Sequence, residues 1–563
     1  MDAQVTEPGG EFTGRRVCVA GLGVSGPPAA RTLARLGAQV TVVDGRDDEE
    51  RRRLGAELER LGVAVALGER PAQGAALLTE LAPGGTDLVV TSPGWRPDAP
   101  LLAAAAAAGI PVIGDVEFAW RLRPSLPGGG RQEWLAVTGT NGKTTTVRML
   151  ACMLTAAGYR AMAVGNVGTS VVDAVTATDP CPVLAVELSS FQLHWSSTVT
   201  PFAAVVLNVA GHHLDWHGDI DSYAADKGRI YARGTVAVCN ADDARTGQLA
   251  AAATGPARIV AFRRDAPGSG ELGVADGFLV DRAFGDGVRL AAVTDVRPAA
   301  PHNVADALAA AALARAYGAG PDAIRAGLRA FQPEPHRISL VAQVGGVDYV
   351  DDSKATNPHA AAASLAAYPS VVWIAGGLFR GADSDVEELV GGAAARLRGV
   401  VLLGVDRAKI AHALARHAPD VPVVEAAGTD TGVMDRVVAE AARLARPGDT
   451  VLLAPAAQSF DIFRDYPARG DAFAAAVAGL AGARCAAASP CAAAAARAGP
   501  GTALAGRPAA GRTRVPSPPG CGSPPRPGCS TGRSPPTTWS SASPRCCSRS
   551  AWSWCCPRRP SPG

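Results

Sequence analysis

The sequence predicts an α/β protein of three successive sheet-and-helix units followed by a disordered tail, and three observations carry that reading. Short apolar runs rich in Val, Leu, Ile and Ala recur along the chain, each emptying into a polar or Gly-rich turn and then a helical pattern. One such turn, Val137-Thr-Gly-Thr-Asn-Gly-Lys-Thr-Thr145, has the make-up of a loop that grips a polyphosphate. Beyond about Gly482 the apolar periodicity stops, and Ala, Pro, Arg, Ser, Gly and Cys take over.

The chain has 563 residues, room for three to four domains at ~150 residues each. Its formal charge of +2 hides an asymmetry: residues 1–483 hold 43 of the 54 Lys and Arg but all 52 Asp and Glu. The body is acidic, which argues against a nucleic-acid-binding surface and leaves room for local basic phosphate pockets. Eight of the 12 cysteines lie beyond residue 484; the other four, Cys18, Cys152, Cys181 and Cys239, sit in apolar segments without a C-x-x-C pair, as in a reducing compartment. No uncharged apolar run reaches ~18 residues, and the N-terminus has no signal-like core. A soluble cytoplasmic protein with no membrane insertion is expected.

In chain order, Val17-Cys-Val-Ala20 reads as a buried strand, Gly21-Leu-Gly-Val24-Ser25-Gly26 as a tight turn into a helix, and Val40–Val43 as a second strand ending in Asp44. This pattern fits the diphosphate of any nucleotide carrier, so NAD, FAD and a UDP-sugar all remain open. Asp87–Gly94 and the segment around Gly114-Asp115-Val-Glu117 add two strand-and-turn units, and the domain is expected to close at the Pro- and Gly-rich loop 124–130.

The second unit opens on Trp134–Val137, a strand feeding the phosphate loop and a helix beyond it. Backbone N–H groups of Gly139, Thr140, Asn141 and Gly142 and the positive helix end would cradle phosphate, with Lys143 on the outer oxygens, Thr144 on Mg²⁺, and Thr145 alongside. Pro182–Val186 is a strand with Glu187 at its tip, the second half of an ATP–magnesium site; Ser189 and Gln192 follow. Ala203–Leu207 leads into Asn208-Val-Ala-Gly-His212-His213-Leu-Asp215-Trp-His217. Zinc is the alternative there, but no second ligand group follows at suitable spacing. Residues 264–298 should be short strands and loops, and His302-Asn303 should begin an Ala-rich helix. A third doubly wound unit follows Arg337, with strands at Val347–Val350, Val371–Ala375, Val400–Leu403 and Val451–Ala454.

Three strings standing in this order, Thr138-Gly-Thr-Asn-Gly-Lys-Thr-Thr145, Glu187-Leu-Ser-Ser-Phe-Gln192-Leu and Asp352-Ser-Lys-Ala-Thr-Asn357, closely resemble the Mur ligases, and the match covers about residues 14–480. The phosphate loop alone would also suit folylpolyglutamate synthases; the other two strings and Gly114–Glu117 point to the branch that adds D-glutamate. The resemblance implies three domains: a Rossmann-like one for UDP-substrate (1–130), a central P-loop ATPase with a mostly parallel sheet (131–332), and a C-terminal Rossmann-like one for the amino acid (333–482). It implies a monomeric ATP-dependent amide ligase of cytoplasmic peptidoglycan-precursor synthesis, joining D-glutamate to UDP-N-acetylmuramoyl-L-alanine through an acyl phosphate with two Mg²⁺.

On this resemblance Val24, Ser25, Asp44 and Arg46 lie where relatives hold the uridine nucleotide, and Asn166, Ser189 and Gln192 would touch the sugar and the metal-bound region. Lys227 falls on a lysine that the family carbamylates, which would join His213 at the second Mg²⁺ while Thr144 and Glu187 hold the first. Asn303 should face adenine, although Ala300 stands for Gly and Asp306 for Asn. Arg337 and Asp352 resemble nucleotide contacts; Lys354, Thr356, Arg380, Ser459, Phe460 and Tyr466 resemble the D-glutamate pocket, with Arg380 where many relatives have Lys. An NAD oxidoreductase fused to a nucleotide module and a non-enzymatic ATP switch are the competing classes. The tail 483–563 reads as the product of a wrong reading frame in a G+C-rich gene, because Asp, Glu, Lys and Ile vanish together.

Overall fold

The computed structural model describes residues 9–487 apart from 69–84, 127–129, 167, 381–382, 427, 429 and 431. Three sheets follow one another along the chain. The first consists of β1 (Arg16–Ala20), β2 (Gln39–Asp44), β3 (Ala64–Leu67), β4 (Leu88–Thr91) and β5 (Val112–Gly114), all parallel in the order β3-β2-β1-β4-β5. Successive connections leave β1 to opposite sides, so the turn after β1 opens a crevice at the switch point, where α/β sheets bind ligands.

The second sheet contains β6 (Glu133–Thr138), β7 (Ala161–Gly165), β8 (Val183–Glu187), β9 (Ala203–Val206), β10 (Val236–Asn240), β11 (Arg258–Phe262), β12 (Glu271–Ala275), β13 (Phe278–Asp281) and β14 (Val288–Ala292). Its order is β14-β13-β12-β11-β10-β9-β6-β8-β7, parallel up to β12 and antiparallel through the last two. The strand that feeds the phosphate loop, β6, therefore lies between β8, which ends in Glu187, and β9, which empties into Asn208. Behind it the Ala-rich helix Pro301–Ala316 and the helix Pro321–Ala330 pack on the phosphate-loop helix Lys143–Ala156. Small side chains permit that closeness: a Cβ on Gly327 would stand 2.5 Å from the Met153 Cα.

The third sheet, β15 (Ser339–Val344), β16 (Val347–Asp351), β17 (Val371–Gly376), β18 (Leu397–Leu403), β19 (Val423–Glu425) and β20 (Thr450–Leu453), has the order β15-β16-β20-β17-β18-β19, with β15 alone antiparallel. The three-sheet α/β architecture is the one expected. Two details differ. The last helix, Tyr466–Ala487, runs past the expected boundary at 482, and Asp115–Arg121, after β5, is a helix with both acids of its first turn buried. The tail from residue 488 onward, and its reading as a frame-shifted segment, lies outside the described residues.

One apolar core joins the first two sheets without interruption, from Val17 and Val42 through Phe118 and Trp120 to Trp134, Val186 and Ala204. Trp120 and Trp134 meet edge to face at 5.0 Å, a packing preferred by ring quadrupoles. At the same seam the buried Glu117 carboxylate accepts from the backbone N–H of Ser197 and Thr198, both at 2.9 Å, and from the Thr198 hydroxyl at 2.6 Å. Burial by itself would raise this carboxyl, but the bonds from Thr198, Ser197 and Arg121 outweigh it and hold Glu117 below the usual range.

Candidate active site

A cavity of about 720 Å³ opens between the second and third sheets. One wall is the phosphate loop Thr140–Thr144 with Asn166, Glu187, Asn208 and His212; the other is Arg337, Asp352, Lys354, Thr356, Asn357 and Tyr466. The loop keeps its shape through Gly139 and Gly142, which adopt φ of 155° and 85°, and through Asn208, whose Oδ1 accepts from the N–H of Thr140 (3.1 Å) and Asn141 (2.9 Å). At Gly142 any Cβ would strike the Asp306 carboxylate at 2.2 Å, so glycine is required there by conformation and by space.

Lys143 folds back over the loop and donates to the carbonyls of Gly139 and Thr140, both at 2.9 Å. Burial lowers its ammonium, and nearby Arg337 and Lys354 add to the effect against Glu187 and Asp306. The Thr144 hydroxyl donates to Glu187 at 2.8 Å, and Asn166 Nδ2 donates to the other Glu187 oxygen at 3.2 Å. A hydroxyl and a carboxylate thus converge at the foot of the loop, the hard-oxygen pair that suits Mg²⁺ beside phosphate. Thr145 accepts from Arg337 at 2.7 Å, across the gap between the sheets.

Lys227 is almost fully buried, donates to the Gly139 carbonyl at 2.9 Å and lies over the Tyr223 ring. Burial, reinforced by the Lys143 charge, drives its ammonium well below the ordinary lysine value. Disfavouring the ammonium in this way favours the nucleophilic amine form of the lysine. Desolvation, with Lys143 and Lys227 adding to it, lowers His212 to about 3 and His213 to about 4, so both rings are neutral. Among the described residues no group of three or more His, Cys, Asp or Glu could hold a metal ion, which leaves the zinc reading of the histidine cluster without a ligand set. His217 turns instead to Asp226 and Ser190, at 3.0 Å each. With Mg²⁺ the fit is direct for Thr144 and Glu187; a second ion would need Lys227 to become an anionic ligand beside His213.

Several expected contacts are spent elsewhere. Ser189 and Gln192 form a reciprocal capping box on the short helix Ser190–His194, and Gln192 Nε2 also reaches Asp115 at 3.4 Å. Asn303 lies behind the cavity wall, donating to the Pro298 carbonyl at 3.1 Å, while His302 and Asp306 form the wall. Burial raises Asp306 to about 7 and Asp352 to about 6, and lowers His302 to about 4. Lys354 donates to Glu334 at 2.7 Å. Arg380, Ser459 and Phe460 lie off the wall, on the loops after β17 and β20 that the Leu378–Gln458 bridge ties together. His302, Asn208 and Tyr223 were given no site role by the sequence reading, though Asn208 carries a visible signal as the polar residue just past a buried strand.

A second cavity of about 650 Å³ sits on the first sheet at its switch point, lined by Gly21, Gly23, Asp44, Arg46, Ser92 and Arg96 among others. Asp44 organises the turn, accepting from Leu22 N–H at 2.7 Å and Arg46 N–H at 2.9 Å. Val24 projects into solvent, 88% exposed. Ser25 sits at the N-cap of the helix Gly26–Arg35 but bonds Asp115 rather than the helix.

Fold and site define a three-domain nucleotide-binding α/β protein in which a phosphate loop and a polar string from another domain face one cavity. The family model for the Mur ligase middle domain matches residues 137–314, the glutamate ligase domain of Mur ligases 336–457, and the MurD-like N-terminal domain 15–114. The UDP-N-acetylmuramoylalanine–D-glutamate ligase of Thermobifida fusca is 62% identical over 480 residues, covering 84% of this chain and 100% of that protein. The enzymes of the same name from Streptomyces coelicolor and Mycolicibacterium smegmatis are 59% and 50% identical, each over 83% of this chain and over 98% and 97% of their own lengths. The chain belongs to the Mur ligase family, in the branch of the UDP-N-acetylmuramoylalanine–D-glutamate ligases.

Proposed function

We propose that this chain condenses the amino group of D-glutamate with the carboxylate of UDP-N-acetylmuramoyl-L-alanine, converting ATP to ADP and phosphate. The observation that carries the reading is the single cavity faced by both the phosphate loop and the Asp352–Asn357 string. A carboxylate is a poor acyl donor, so its oxygen first takes the γ-phosphoryl group of ATP to give an acyl phosphate and ADP. The amine of D-glutamate then attacks the acyl carbon, and the tetrahedral adduct expels phosphate and leaves an amide.

In this scheme the loop N–H groups and Lys143 hold the β- and γ-phosphates, and Arg337 and Lys354 near Lys143 add positive charge that favours a polyanion. Thr144 and Glu187, the latter oriented by Asn166, would hold one Mg²⁺; His213 and Lys227, once carbamylated by addition of CO₂ to its amine with loss of a proton, would hold a second. Mg²⁺ supplies neutralisation of the phosphate oxygens. His302, Asp306, Arg337 and Asp352 surround the nucleotide, and Lys354, Thr356 and Tyr466, with Arg380, Ser459 and Phe460 on the adjoining loops, receive D-glutamate. Val24, Ser25, Asp44 and Arg46 take the uridine nucleotide at the cavity on the first sheet. The domain limits 1–130, 131–332 and 333–482, a monomeric state and a cytoplasmic location belong to the same proposal; the free Cys18, Cys152, Cys181 and Cys239 support the last.

The test is phosphate release with UDP-N-acetylmuramoyl-L-alanine in the presence of D-glutamate, L-glutamate or L-lysine. Turnover with D-glutamate is expected, and turnover with L-lysine alone would overturn the assignment.

A further inference from the structure

The cavity on the first sheet and the histidine segment of the second are joined by one side chain. Arg96, on the loop after β4, places Nε and Nη2 on the two Asp98 carboxylate oxygens, at 2.9 and 3.1 Å, and donates through Nη1 to the backbone carbonyl of Asp215. Both Arg96 and Asp98 line the 650 Å³ cavity that also contains Gly21, Asp44 and Arg46. The guanidinium is a planar fork, so fixing two of its edges aims the third.

The segment that receives this bond is poorly anchored by its own backbone. Leu214–His217 is a single helical turn between two left-handed residues, His213 at φ 56° and Gly218 at φ 88°. Its inner side rests on Phe191, which contacts the rings of His213 and Trp216 at 4.8 Å each. Asp215 itself is exposed. Yet the segment carries His213, and it presents His217 to Asp226, the neighbour of Lys227. A shift of this turn moves His213 and the His217–Asp226 contact next to Lys227, and Lys227 itself bonds the phosphate loop at the Gly139 carbonyl.

We infer that Arg96 couples occupancy of the first-sheet cavity to the placement of the His213–His217 segment, acting as a positioning residue between the two sites. The inference rests on the reading of that cavity as the nucleotide-diphosphate pocket. Without ligand, Asp98 partly neutralises a guanidinium that is 50% exposed, and water competes for every bond. A diphosphate brings more charge than one carboxylate and binds the fork with charge-assisted bonds, immobilising Arg96 and thereby its hold on Asp215. The catalytic centre is then completed when the carboxylate substrate, the acyl donor, is present, which limits transfer of phosphate to water.

Hydrogen exchange over residues 211–218 tests this with UDP as the probe and no metal or ATP present. In the wild-type protein, saturating UDP should slow exchange of this segment about fivefold or more, in the range of ordinary intersite coupling. In Arg96→Ala and Arg96→Lys, at UDP concentrations shown by calorimetry to saturate each variant, that protection should disappear, the lysine lacking a fork with which to bridge. Asp98→Ala should retain it, because Arg96 and the Asp215 carbonyl remain. Equal protection in wild type and both Arg96 variants overturns the coupling while leaving the nucleotide pocket intact. Failure of wild type to bind UDP overturns the pocket reading and the coupling together.

Discussion

The seam between the first and second sheets and the seam between the second and third are built from opposite materials. The first is a continuous apolar core sealed by Trp120, Trp134 and a fully bonded Glu117. The second is a polar cavity bridged by side-chain bonds such as Arg337 to Thr145 and Asn357 to Asn141 at 3.2 Å. Separating the first pair would expose buried rings at a cost of several kcal/mol; separating the second exchanges polar contacts for water at little net cost. From this contrast we predict that the first two domains move as one body and that the third shifts against them.

The sharpest break in this contrast is a change that removes activity without touching either seam. Lys143→Ala should reduce turnover by about 10³-fold or more while the melting temperature stays near that of wild type; a variant with retained phosphate release would remove the loop from its role. Next in size is Glu117→Ala, which strands the Ser197 and Thr198 N–H groups and Arg121 at the apolar seam. It should cost about 3 kcal/mol of stability, read by denaturant unfolding, and a loss near zero would show that seam to be less tight than its packing indicates.

The cavity seam predicts a pH signature of its own. Asp306 is raised to about 7 and Asp352 to about 6 by burial, above the unfolded carboxylate value, so the folded apoprotein binds the extra protons. Their contribution is fully present below the unfolded pKa of ~4 and is lost as pH rises through 6 and 7. Asp306→Asn should accordingly gain stability relative to wild type between pH 5 and 8, by on the order of 2–4 kcal/mol, and a pH-independent difference would remove the burial argument. Smallest of all, Asn357→Ser, which keeps a side-chain oxygen to cap the helix at Ala360 N–H but gives up the bond to Asn141, should change unfolding stability by less than about 1 kcal/mol, in contrast to Glu117→Ala at the other seam.

What the sequence revealed followed from how local each signal is. The phosphate loop, the strand-end Glu187 and the buried strands β1, β6, β8, β9, β17 and β20 are continuous in the chain, and each was legible. Strands β3, β15 and β19 lie at sheet edges with half-exposed faces, so they lack the apolar run that marks a central strand. Ser189 and Gln192 carry the right chemistry for a ligand, but their spacing also makes a capping box, and the helix uses it. Asn303 and His302 are neighbours whose facing depends on the phase of the helix that Pro301 starts, which sequence alone did not determine. Contacts such as Glu117 to Thr198 and Arg96 to Asp215 join distant stretches and have no local signature at all.

The most direct test of the two-seam account is a pair of distances measured by electron–electron double resonance on labels at Glu57, Asp322 and Ala415, sites on the first, second and third domains of which Glu57 is half-buried and the other two exposed. On adding Mg²⁺ and a non-hydrolysable ATP analogue, the Glu57–Asp322 distance should stay constant while the Asp322–Ala415 distribution shifts and narrows. A change in Glu57–Asp322 with a fixed Asp322–Ala415 distance would contradict the account, because the apolar seam would then be the one that moves.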